Sequence, residues 1–200
     1  MFLKILAHPV FTNLNFHMPM IVDLSHPLIM IEGENGSGKS TLLQSILLAL
    51  KGEPVDGYVY RIENPKGIDT SKALLFDAEQ HNPRMMLDRF EDNPQMREFL
   101  SMASHGQVML AMFRENFPSL PEGTILLLDE PEMALSPSNQ RRILKMLQEL
   151  VDQRKFRIIC ATHSPILIGA SETYVINLDR HINRNVADAS LGVEGASTIQ

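Results

Sequence analysis

The pattern of apolar and polar positions alternates between short, nearly unbroken apolar runs and longer stretches with helical spacing. Phe2 to Leu6 alternates around Lys4 and predicts a strand, as does Leu14-Asn15-Phe16-His17-Met18. Leu28-Ile29-Met30-Ile31 predicts a short buried strand, and Thr41 to Leu50 a helix behind it. Lys51-Gly52-Glu53-Pro54 breaks that helix, with Gly52 as its cap. Gly57 to Ile62 and Ala73 to Phe76 predict two further strands. From Glu79 to Ala103 the chain changes character: Pro83, Pro94, methionine pairs and many charges predict short helices of an inserted lobe, extending to about residue 117. Gly106 to Asn116 predicts a helix that Pro118 and Pro121 end.

Thr124-Ile125-Leu126-Leu127-Leu128 is apolar almost throughout, as a parallel strand buried on both faces must be. Pro137 to Gln153 is amphipathic, with Ile143, Leu144, Leu147 and Leu150 on one face. Phe156 to Ala161 and Thr173 to Leu178 predict the last two strands, and the polar tail from Asp179 is expected to be loose or partner-bound. Strands separated by helices imply an α/β fold with a largely parallel sheet, in one domain over residues 1–178.

Candidate chemistry sits where the first buried strand meets the first helix. Gly33-Glu34-Asn35-Gly36-Ser37-Gly38-Lys39-Ser40 fits G-x-x-x-x-G-K-[ST], a phosphate-binding loop in its strand–loop–helix context. Gly33, Gly36 and Gly38 allow the tight turn that aims backbone N–H groups at phosphate oxygens. The helix N-terminus adds its unpaired N–H groups and dipole. Asn35, Gly36, Ser37, Gly38, Lys39, Ser40 and Thr41 are the candidate nucleotide set, with Lys39 reaching the β/γ-phosphates and Ser40 ligating Mg²⁺.

A second signal is the apolar strand ending in Asp129-Glu130. A buried charge must be paired or ligated, and beside a phosphate loop these carboxylates have work: Asp129 to hold Mg²⁺ and Glu130 to orient or deprotonate the attacking water.

Composition narrows the class. Hydrophobic content of 44% and charged content of 21% suit a folded domain. A net charge of −6 gives no support to an intrinsic nucleic-acid surface, although a local patch or partner could supply one. The single Cys160 excludes an internal disulfide and suits a reduced, cytoplasmic setting, with no signal-peptide pattern and no run approaching the roughly 20 apolar residues of a membrane span. The seven histidines do not fall at zinc-ligand spacing.

The order of motifs carries a resemblance. Leu127-Leu128-Asp129-Glu130-Pro131-Glu132-Met133-Ala134-Leu135-Ser136-Pro137 resembles the Walker B and D-loop of ABC-type ATPases. Ala161-Thr162-His163-Ser164-Pro165 resembles their switch-histidine segment, and Ser104-His105-Gly106-Gln107 their signature, usually Leu-Ser-Gly-Gly-Gln. His105 replaces the first signature glycine, Ala103 stands where leucine is usual, and Ser136 stands where many ABC proteins have aspartate. The wording of the histidine segment and the short lobe look most like small ATPases related to RecF and the chromosome-maintenance proteins, and less like transporter subunits.

The resemblance implies an ABC-type ATPase head, a P-loop fold with antiparallel N-terminal strands and a short helical lobe, that hydrolyses ATP with Mg²⁺. Two heads would sandwich two nucleotides as a homodimer. Lys39, Ser40, Asp129, Glu130 and His163 would act from one head, with His163 on the γ-phosphate, while Ser104, Gly106 and Gln107 of the other close the site. Gln80 is the candidate Q-loop contact to Mg²⁺, with Glu79 competing and a surface polar pair equally open. Phe11 is a candidate adenine neighbour, or a core residue. A separate effector protein would receive the work. The alternatives are a non-hydrolysing nucleotide-gated module and the nucleotide-binding subunit of a membrane transporter.

Overall fold

Side chains alternate across a strand, so a sheet covered on both faces divides its own apolar residues between two cores. The computed structural model describes residues 1–7, 20–64, 67–78, 94, 95, 98, 102, 104–179, 182–185 and 197–198. The described strands are β1 (Phe2–Ala7), β2 (Met20–Asp23), β3 (Leu28–Glu32), β4 (Val59–Glu63), β5 (Ala73–Asp77), β6 (Ile125–Asp129), β7 (Arg157–Ala161), β8 (Tyr174–Asn177), β9 (Ile182–Asn185) and β10 (Ser197–Thr198). The described α-helices are α1 (Lys39–Lys51), α2 (His105–Glu115), α3 (Pro137–Arg154) and the single turn α4 (Pro165–Ile168).

A seven-stranded sheet runs in the order β10-β9-β8-β3-β7-β6-β5. The pairs β3–β7, β3–β8, β6–β7 and β5–β6 are parallel, and β8–β9 and β9–β10 are antiparallel. A separate antiparallel sheet, β2-β1-β4, covers one side.

Ile29, Ile31, Leu127, Ile159 and Ile176 face α1 and the small sheet, meeting Leu42, Leu43 and Ile46 of α1 and Leu3, Ile5 and Val22. Met30, Leu126, Leu128, Ile158, Cys160 and Val175 face the opposite way, under Ile143, Leu147 and Leu150 of α3 and Met109 and Phe113 of α2. Phe76, Phe113 and Phe117 meet edge to face, with centroids 4.7 to 6.2 Å apart, and fasten α2 to β5.

Helix α1 ends at Gly52 as the sequence predicts, with φ +70° and its N–H on Ala49 O at 3.1 Å. Two differences stand out, in β2 and in the tail. The strand expected at 14–18, and most of the lobe expected at 80–117, lie outside the described residues. Strand β2 was not expected, because Met20-Ile21-Val22 is apolar throughout and shows no alternation, although Ile21 is exposed between buried neighbours. The tail expected to be loose from Asp179 contributes β9, whose backbone pairs with β8 from Tyr174↔Asn185 to Asn177↔Ile182. Backbone pairing needs no apolar pattern, so Ile182-Asn183-Arg184-Asn185 gave no hydrophobic signal for it.

Leu127 is fully buried at the centre of the first core. Leu127→Ala is expected to lower unfolding stability by about 2–5 kcal/mol, measured as a shifted urea midpoint at unchanged slope. A loss under about 1 kcal/mol would contradict burial beneath both α1 and the small sheet.

Candidate active site

The parallel register brings the candidate residues to one edge. Asp77 pairs with Asp129, Asp129 with Ala161, Ile31 with Ala161, and Glu32 with Asn177, so the strands stop together. Hydrogen bonds continue past the strand ends: Glu130 N–H donates to Ala161 O at 2.9 Å, Thr162 N–H to Ile31 O at 3.1 Å and Ala78 N–H to Asp129 O at 3.2 Å. The chain therefore leaves each strand beside its neighbour's exit, the place where open α/β sheets carry their chemistry.

The loop between β3 and α1 turns at Gly36 and Gly38, whose φ values of +82° and +97° favour glycine. Gly38 caps α1 without a side-chain hydrogen bond, so the first N–H groups of α1 have no capping side chain. Gly33 is needed for space, since a Cβ there would lie 2.4 Å from Ser37 Oγ. Asp179, one residue beyond Leu178, accepts Glu34 N–H at 2.9 Å and ties the loop to the end of β8.

Lys39 is only 5% exposed. Its ammonium donates to Gly33 O and Glu34 O, both at 3.1 Å, and lies 2.7 Å from His163 Nε2. Burial pulls its pKa below the ordinary lysine value, while Glu130 and Asp129 pull the other way. His163 Nε2 is also 3.3 Å from Glu130 Oε1. This nitrogen can accept from Lys39 or donate to Glu130, but not both at once. Glu130 holds φ +46°, a left-handed backbone costing a non-glycine residue about 1–3 kcal/mol.

Asp129 is held above the ordinary aspartate pKa chiefly by burial; the Ser40 hydroxyl bond opposes this, and Asp77 and Glu130 reinforce it. Among the described residues Asp129 Oδ1 and Ser37 Oγ are buried without a hydrogen-bond partner. The Asp129 carboxylate and the Ser40 hydroxyl bonded to it suit a small hard cation that keeps water and phosphate as its other ligands. No cluster of three His, Cys, Asp or Glu side chains fit for a metal occurs among the described residues.

The remaining sequence candidates separate into two groups. Ser104, Gly106 and Gln107 open α2 as a reciprocal cap: Ser104 Oγ accepts Gln107 N–H at 3.2 Å, and Ser104 N–H donates to Gln107 Oε1 at 2.7 Å. Gly106 packs so closely on the 131–136 loop that a Cβ would lie 2.9 Å from Leu135 Cδ2. Among the described residues, the contacts of these three run to α2 and that loop. Asn35 and Ser40 are exposed, and Thr41 is half-buried in the first turn of α1. Phe11, Glu79 and Gln80 lie outside the described residues.

Sequence reasoning missed Glu132. It is buried, and its Oε1 accepts Thr162 Oγ1, His163 N–H and Ser164 N–H at 2.6, 2.7 and 3.2 Å. It also missed Gln140, which receives Ser164 Oγ at 2.8 Å and donates to Leu135 O at 3.0 Å. The available signal was a third acid close behind a buried strand, facing a Thr-His-Ser run rich in donors.

Known proteins resemble this chain in sequence and in fold. Residues 11–97 match a family described as "AAA domain", and residues 109–169 one described as "AAA domain, putative AbiEii toxin, Type IV TA system". The chain is 26% identical to the zinc import ATP-binding protein ZnuC of Buchnera aphidicola subsp. Acyrthosiphon pisum, over 83% of this chain and 77% of that protein. It is 27% identical to the molybdate import ATP-binding protein MolC of Haemophilus influenzae, over 84% and 73%. An ATP-binding cassette solved as a dimer in a post-hydrolysis state with ADP and Pi superposes with a TM-score of 0.54 at 15% identity, covering 93% of this chain and 99% of that one.

The raised pKa of Asp129 has a sign that can be tested. Above the ordinary value of about 3.9 and up to the raised one, the folded chain keeps a proton that the unfolded chain has released. Its contribution to stability is therefore lost as pH rises through that window. Asp129→Asn is expected to be more stable than the parent at pH 7, with the difference shrinking as pH falls through the raised value toward about 4 and staying small below it. Urea titrations across this range giving parallel pH curves for the two chains would contradict the burial argument.

Proposed function

We propose that the chain is an ABC-type ATPase, as its similarity to ATP-binding import proteins and its fold support, that its phosphate loop and strand-end acids bind Mg²⁺-ATP, and that hydrolysis occurs between two copies of the chain, coupled to a separate partner protein. The observation that carries this is the convergence of three side chains from different elements: Lys39 Nζ and Glu130 Oε1 both approach His163 Nε2, beside the Asp129–Ser40 pair.

In this reading the N–H groups of the 36–41 turn and the Lys39 ammonium hold the β- and γ-phosphates. Ser40 and Asp129 hold Mg²⁺, which supplies charge neutralisation on the phosphate oxygens. Glu130 takes the proton of the attacking water at its carboxylate. His163 contacts the γ-phosphate and fixes that water. Ser104 and the α2 N-terminus of the opposing copy close the site, the Ser104 hydroxyl keeping its proton to donate while its oxygen caps α2. Contact between identical faces about a two-fold axis closes as a dimer.

Similarity to zinc and molybdate import ATP-binding proteins over more than four fifths of the chain supports a second reading of the partner, as the membrane component of a transporter. No described helix is itself long and apolar enough to cross a membrane. The protein that co-purifies with the ATP-trapped Glu130→Gln chain separates this reading from a soluble effector.

Lys39→Ala is expected to abolish ATP binding in calorimetric titration; wild-type affinity would sink the assignment. Glu130→Gln is expected to bind ATP and release phosphate about 10²–10⁴-fold more slowly; unchanged turnover would move the proton acceptor elsewhere. Light scattering should show Glu130→Gln as a monomer without nucleotide and a dimer with Mg²⁺-ATP. Adding Ser104→Arg should remove the dimer and leave ATP binding to the single chain intact. Dimerisation of that double variant would refute the role given to Ser104.

A further inference from the structure

We infer that Glu132 is a positioning residue for His163, acting through the backbone beneath the imidazole; this rests on the ATPase reading above. The His163 side chain is 39% exposed and meets Lys39 and Glu130 through Nε2 alone. Its direction is therefore set by the turn that carries it, residues 162–164 between β7 and α4. One oxygen holds that turn. Glu132 Oε1 takes the Thr162 hydroxyl, the His163 N–H and the Ser164 N–H together, the two shortest at 2.6 and 2.7 Å. Distances of that size mark charge-assisted bonds, and successive N–H groups converging on one anion form a rigid nest.

The turn is braced on its other side. Thr162 Oγ1 accepts Ser164 N–H at 3.0 Å, Ser164 Oγ accepts Leu167 N–H at 3.3 Å to start α4, and the Ser164 hydroxyl bonds Gln140. Stability alone does not explain the carboxylate. Its second oxygen, Oε2, is buried without a partner among the described residues, which is costly for a charge. The acid sits two residues after Glu130, so one short loop carries both the carboxylate beside the imidazole and the carboxylate under it. A change in the position of residues 130–132 moves the two together.

Glu132→Gln keeps an acceptor oxygen and removes the charge. It is expected to lower kcat about ten- to hundredfold, as small misplacements at a reacting centre do, with KM and ATP affinity within about twofold. In a His163→Ala background the same change is expected to cost nothing further, because the group it positions is gone. Thr162→Val is expected to lower kcat in the same direction and Thr162→Ser to restore it; this pair carries the test should Glu132→Gln not fold. The imidazole resonance of His163 in isotope-labelled protein is expected to move or split in Glu132→Gln. Equal losses in the wild-type and His163→Ala backgrounds, or an unmoved imidazole resonance, would overturn the inference and leave Glu132 a stability residue. A wild-type chain with no turnover would instead refute the ATPase reading, and the resonance would still decide whether Glu132 positions His163.

Discussion

Burial of the parallel strands on both faces is the constraint on which the rest depends. Strands β3, β6 and β7 are apolar along nearly their whole length because α1 and the small sheet lie on one side and α2 and α3 on the other. No hydrated charge is tolerated between those layers, so polar function is displaced to the strand ends. There the shared register makes it local. Residues far apart in sequence, such as Lys39 and His163, 124 positions apart, meet because each follows a strand that stops at the same level.

That displacement produces an electrostatically tense edge. Lys39, Asp129, Glu130, Glu132 and His163 are crowded together with partial access to water, and the two groups whose ionisation burial opposes most clearly, Lys39 and Asp129, are shifted in opposite directions. Each is also the other's counterion. The left-handed backbone at Glu130 belongs to the same edge. Such sites trade stability for arrangement, and a cation or phosphate bound there would recover part of the cost.

The sequence made this edge legible where burial and spacing speak for themselves. Leu126-Leu127-Leu128 running into Asp129-Glu130, and the glycine-rich turn ahead of Lys39, declared both their elements and their chemistry. Glu132 was not legible, because an acid in a loop defaults to solvent; its burial comes from the strand register that lays residues 162–164 against it, 30 or more positions away. Gly106 was read for backbone access to phosphate, yet a Cβ there would also meet Leu135 Cδ2 of the same chain at 2.9 Å, so that leucine would have to move. The strand after Asp179 escaped detection because it pairs through its backbone and has no apolar repeat.

The contact from Asp179 to Glu34 gives the segment after β8 a hold on the phosphate loop. A chain shortened at residue 178, where the hydrophobic pattern fades, would lose that carboxylate and the pairing of β9 with β8 in the same cut. The phosphate loop would lose an anchor, and β8 would present a row of free amide and carbonyl groups to other molecules. A head shortened there would be expected to self-associate through an exposed sheet edge.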